Sequence, residues 1–218
     1  MGEAAIQLIV LAAIALFLIL RLRSVLGTRE GFEPTVEAQA PMRERASNFE
    51  VIEGGVDQDI ADHVDVESEM GQALRAMKTK EPGFSVGEFL SGAGQAYEMI
   101  LMAYENDDRE TLENLLADDV YEGFSEALDA RADQGLRVDA EFVGLRENRL
   151  YDASFDVTSG LAEITLKFQG ELTSVVTDID GKVVEGSKTD IKRQKDIWTF
   201  ARVMGSEDPN WELVATEA

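Results

Sequence analysis

The chain has 218 residues, 43 of them Asp or Glu against 20 Lys or Arg, and a formal net charge of −23. Such a surface repels phosphate backbones and anionic headgroups, which argues against a nucleic-acid partner and against broad contact of the soluble part with an anionic bilayer. There is no cysteine and one histidine, His63, so disulfide frameworks, thiol nucleophiles and Cys- or His-rich metal sites are excluded.

The chain opens on an apolar run, Ala4 to Leu20, whose only strongly polar side chain is Gln7. As a helix it spans roughly 25 Å, slightly short of a hydrocarbon core of about 30 Å. Leu22, Val25 and Leu26 extend it if Arg21 and Arg23 snorkel. Glu3 precedes the run and arginines follow it, the reverse of a cleaved signal. The expectation is an uncleaved anchor over residues 1–27. Ile6, Leu8, Ile9, Leu11, Ile14, Leu16, Phe17 and Leu20 would lie in lipid, with Arg21 and Arg23 at the interface. The positive-inside rule then places the N-terminus out and the rest in the cytoplasm, on a bacterial inner membrane.

Residues 28–55, with Pro34 and Pro41 and few large apolar residues, read as a flexible tether. Val56, Ile60 and Val64, then Leu74 and Met77, fit one charged amphipathic helix over 56–82, stopped by Pro82-Gly83. Its acidic residues lack calcium-loop spacing and read as a solvated face.

A compact domain over 83–218 follows. Ser85 with Glu88 marks a helix start, and Phe89, Ala93, Ala96, Tyr97, Ile100, Leu101 and Tyr104 form one stripe. Gly92 and Gly94 inside that helix point to close approach of another element. A short helix carries Leu112, Leu115 and Leu116, capped by Asp107 or Asp108, and a third runs about Val120 to Ala132. Beyond Gly135 the period becomes 2. Ile164, Leu166 and Phe168 alternate with Glu163, Thr165 and Lys167, Asp180-Gly181 signals a hairpin, and Trp198 with Phe200 share a face. Trp211, Leu213 and Ala215 are in phase at the end. Helices followed by consecutive antiparallel strands make an α+β domain.

Catalytic motifs fail on inspection. "GKVVEGSK" (181–188) has the wrong order for a phosphate loop, and "SGAGQA" has no preceding strand. Acidic pairs are too abundant to single one out. The aromatic set Phe89, Tyr97, Tyr104, Tyr121, Phe168, Trp198, Phe200 and Trp211 is either core packing or the lining of a pocket between helices and sheet.

Phe89-Leu90, Gly92-Ala93, Ala96-Tyr97 and Ile100, then "ENDDRETLENLLADDVYEGFSEALDARADQG", resemble the opening helices of the Tim44-like domain. "DIWTFARV" followed by "NWELVA", with Trp198, Phe200 and Arg202 in a W-x-F-x-R pattern, resembles its ending. An anchor and tether before such a domain resemble the bacterial, TimA-type branch. The resemblance implies a cystatin-like or nuclear-transport-factor-two-like fold and a non-enzymatic adaptor without cofactor. Its implied partner is a protein, a chaperone or translocase component, beside the lipid bilayer. The mitochondrial relative is a peripheral scaffold of the import motor. Here the basic start of that domain has only Arg75, Lys78 and Lys80 as counterparts. Two other readings stay open: a carrier or isomerase-like domain for an apolar ligand in the aromatic pocket, and an assembly or ribosome-associated factor.

Overall fold

The computed structural model describes residues 57–217; the anchor and the tether expected over 1–55 lie outside them. Among the described residues five helices are followed by four strands: α1 Gln58–Ala61, α2 Glu69–Lys80, α3 Val86–Asn106, α4 Arg109–Leu115, α5 Asp118–Asp133, then β1 Arg137–Phe155, β2 Leu161–Thr177, β3 Val183–Val203 and β4 Glu212–Glu217. The strands form one antiparallel meander in the order β1-β2-β3-β4. The helices pack on one face of it, an α+β arrangement.

Where one helix over 56–82 is expected, the described residues from 57 on form two. Asp65 accepts the Glu67 N–H, Ser68 donates to the Asp65 carbonyl, and Ser68 then caps α2 through the Gly71 N–H. These side-chain bonds compete with helix continuation and win. Gly71 is required there, because a Cβ would sit 2.7 Å from the Val66 Cα. Ile60, Leu74 and Met77 of this stretch are fully buried in the common core. The core therefore begins well upstream of residue 83.

The α3 stripe packs as its spacing predicts, with Phe89, Ala93, Tyr97, Ile100 and Leu101 buried. Ser85 caps it by accepting the Glu88 N–H, Asp107 ends it in the left-handed region, and Asp108 caps α4. Gly94 gives β1 a close approach, since a Cβ would lie 3.3 Å from Leu145, whereas Gly92 meets nothing within 4 Å.

Along β2, Ala162, Ile164, Leu166 and Phe168 face the helices and are buried. Glu163, Thr165 and Lys167 take the opposite face. The Asp180-Gly181 turn closes the β2–β3 hairpin, with Gly181 at φ 79°. β1 is the strand that the sequence pattern passes over. Its register against β2 shifts at three places, between Phe142 and Gly144, Leu145 and Glu147, and Leu150 and Asp152. Each bulge resets the period and hides the alternation. A bulge also changes β4: Phe200 pairs Leu213 but Thr199 pairs Ala215, skipping Val214. Leu213 is buried and Ala215 is exposed, so the expected common phase fails there.

Candidate functional site

The structure divides the eight aromatic residues singled out from the sequence. Tyr97, Phe168 and Trp198 are core, at 3 % exposure or less. Tyr97 stacks on Phe168 with centroids 4.4 Å apart, and Trp198 closes on Tyr97 at 4.7 Å. The Tyr97 hydroxyl donates to Asp196 at 2.6 Å, and Gln194 donates to the other carboxylate oxygen. Burial and the neighbouring Asp196 carboxylate push the phenol far above its usual range, so it stays a proton donor. A Cβ at residue 170 would sit 2.8 Å from that hydroxyl, so only glycine leaves room for the pair. Tyr104 and Tyr121 lie elsewhere, half-buried at the helices, with Tyr104 edge-on to Phe124 and under the Arg131 guanidinium.

Phe89, Phe200 and Trp211 do line a space. Together with Phe84, Ala93 and Arg202 they border a half-open cleft of about 380 Å³ between the start of α3 and the β3–β4 turn. Trp211 and Phe89 are 4.7 Å apart, and Phe84 tilts against both. Gly92 lies on the rim, which is why nothing crowds it. The Arg202 guanidinium sits over the Trp211 ring at 5.3 Å and bonds Glu81 at 2.7 Å, while its Nε has no protein partner. Arg202 and the Gly205 N–H lower the Glu81 carboxyl below its usual range. The floor of the cleft is thus aromatic and its far wall is a fixed ion pair.

The helix ends beside this cleft are held by Asp59, one of the acidic residues whose spacing reads as a solvated face. Asp59 accepts the backbone N–H of Val86 and Gly87 and the Ser85 hydroxyl, and pairs with Lys78 at 2.8 Å. Burial alone raises its carboxyl, but Lys78 and the two amides outweigh it and hold it far below the usual range. It thereby supplies negative charge at the N-terminus of α3, where the helix dipole favours it.

The opposite face of the sheet has a different character. Glu171, at mid-sheet on β2, is covered by Arg146 from β1 and Arg193 from β3, bonded through Nε at 2.8 and 3.0 Å. The two guanidinium groups lower its carboxyl. Sequence parity places Glu171 on this outer face, but its two partners depend on strand register. Asp196 shares parity with Trp198 and Phe200, which places it on the inner face.

Among the described residues no group of three or more His, Asp or Glu side chains is arranged to hold a metal, and no helix is long and apolar enough to cross a membrane. The residues expected to anchor, Ile6 to Arg23, lie outside the described part.

Helices on one face of a four-stranded antiparallel meander, a sealed aromatic core and a shallow aromatic cleft define an α+β domain built around packing. The family comparison is specific: residues 70–218 match the Tim44-like domain, and the chain belongs to that family. The match starts inside α2, consistent with a core that begins before residue 83. Comparison with curated proteins gives no match. Among solved structures, the chain is similar to the intermembrane space region of the chloroplast protein ARC6, at 14 % identity and a TM-score of 0.40, covering 60 % of this chain and 92 % of that one.

Proposed function

We propose that this protein is a non-enzymatic adaptor, tethered to the bacterial inner membrane by residues 1–27, whose Tim44-like domain holds a protein partner beside the bilayer on the cytoplasmic side. The observation that carries this reading is the family match over residues 70–218. The sealed interior supports it. The most conspicuous buried polar pair, Tyr97 and Asp196, is 0 % and 5 % exposed and offers a substrate no access. Anchoring raises the effective concentration of a weakly held partner, so tight intrinsic affinity is unnecessary. A chaperone or a translocase component fits such a role.

The test uses full-length protein in its own membranes: crosslink, extract gently, and identify what co-purifies with and without ATP. A reproducible protein partner is expected, ATP-sensitive if it is a chaperone. Recovery of the protein alone contradicts the reading. Removal of residues 1–27 is expected to release the domain from the membrane fraction, and retention there contradicts the anchor.

The aromatic cleft favours a second reading, a carrier for an apolar ligand. Its test is Trp211→Ala, which is expected to weaken binding of an apolar ligand in a folded protein, because Tyr97 and Trp198 are core residues whose truncation reports on folding first.

A further inference from the structure

The outer face of the sheet carries a concentration of cations that the overall charge of −23 conceals. Three strands contribute. Arg149 of β1 pairs in register with Lys167 of β2, and Gln169 of β2 pairs with Lys195 of β3. Arg146 and Arg193 flank Glu171 one step further along. Cross-strand partners point to one side, so Arg146, Arg149, Lys167, Arg193 and Lys195 share this face. Glu171, Glu147 (paired to Arg149) and, at the edge of the patch, Asp152 opposite Thr165 offset them. The patch measures roughly 14 Å along the strands and roughly 10 Å across.

The mode of pairing matters as much as the count. Glu171 is 3 % exposed while Arg146 and Arg193 are 65 % and 71 % exposed. The buried carboxylate grips each guanidinium at Nε and leaves its terminal nitrogens toward solvent. Two long side chains are thereby pre-ordered with donors outward, which removes part of the entropy lost on binding an anion. Lys167 is steadied over the Tyr151 ring at 4.8 Å, and Tyr151, 50 % exposed, adds apolar surface to the face. Among the described residues the helices bury the other face, and none covers this one.

We propose that this face docks an acidic, extended segment of a partner protein, laid across β1, β2 and β3 over the Arg146–Glu171–Arg193 clamp. The inference rests on the adaptor reading and names the chemistry of its partner. Charge complementarity selects the occupant. The rim of the same face is acidic: Glu141 lies at one end, beside Asp139 that Lys188 neutralises, Asp152 and Glu163 lie at the other, and Glu217 sits on β4 opposite Ile197. A planar anionic bilayer meets rim and patch together and is repelled by the rim. A second copy of the chain brings cations against cations. A chain one strand wide meets only the centre.

The experiment uses full-length protein in detergent and a fluorescein-labelled decapeptide of alternating Glu and Val, with a Gln–Val decapeptide as control, read by anisotropy. Binding of the Glu peptide is expected, weakening at least tenfold between 50 and 300 mM salt, as exposed charge pairs require. Arg146→Gln/Arg193→Gln is expected to weaken it at least tenfold. Because that pair of changes strips a buried carboxylate, Lys167→Glu/Lys195→Glu serves as an independent variant with the same expectation. Equal binding of the Gln peptide, binding unchanged in both variants, or no binding to wild type overturns the proposal. Phosphatidylglycerol-containing vesicles that bind through these same residues overturn it too, and assign the face to the membrane. If a partner co-purifies equally well with the patch variants, the adaptor reading stands and only this inference falls. If wild type yields no partner, the adaptor reading falls whatever the peptide does.

Discussion

The two faces of the sheet are written by alternate residues of the same strands, yet they have opposite tasks. On β2, Ile164, Leu166 and Phe168 are buried at 0 %, 0 % and 1 %. Their neighbours Thr165, Lys167 and Gln169 are only half-buried. The inner face is a fixed aromatic assembly whose central polar pair, Tyr97 and Asp196, is satisfied within the protein. The outer face is an array of guanidinium and ammonium groups, two of them positioned by one carboxylate. Polar groups are therefore not markers of function by themselves. Tyr97–Asp196 is sealed and structural, whereas Arg146 and Arg193 present unused donors to solvent.

The largest effects should come from the inner face. Trp198→Ala removes a ring that touches Tyr97, Phe168 and Phe200, and should cost about 3–5 kcal/mol in urea unfolding. Tyr97→Phe keeps the ring but leaves one Asp196 oxygen without its donor. About 1–3 kcal/mol should be lost, with little change in the fold by circular dichroism. A smaller loss than for an exposed Tyr→Phe change would contradict the sealed pair.

Asp59→Asn tests the link between the acidic segment and the domain. It should lower stability by about 1–2 kcal/mol at neutral pH, as for other lost caps. The pH dependence has a definite sign. The Asp59 carboxyl is depressed in the folded state, so its contribution is complete above the ordinary carboxylate pKa of about 4. It is lost as pH falls further, toward the depressed folded value. The gap between wild type and Asp59→Asn should accordingly narrow below about pH 4. A gap constant from pH 7 to pH 3 would mean that Asp59 acts through shape and not charge.

The smallest stability effect belongs to the outer face. Lys195 is exposed, and Lys195→Gln should change unfolding free energy by less than about 0.5 kcal/mol while weakening acidic-peptide binding. A change that moves stability and binding together would blur the division between the faces.

Much of this division is legible from residue order. The stripe Phe89, Ala93, Tyr97 and Ile100 and the alternation of Ile164, Leu166 and Phe168 each follow one unbroken period, and each packs as that period requires. What escapes is what a period cannot carry. β1 has three register shifts, so no single alternation runs through it. The break between α1 and α2 depends on Asp65 and Ser68 bonding to nearby backbone. The aromatic set mixes core and cleft because parity separates faces, not depth: Trp198 and Phe200 share a face, but only Phe200 reaches the cleft. The outer clamp needs Arg146, Glu171 and Arg193 brought together from three strands, which is a fact of register and not of spacing along the chain.

The most direct test of the account places a photocrosslinking residue at Tyr151 on the outer face, and separately at Met99 on the exposed side of α3, in full-length protein in its native membranes. The account predicts a discrete protein adduct from position 151 that disappears in Arg146→Gln/Arg193→Gln, and none from position 99. Adducts from position 99 alone, or from neither position, would contradict it.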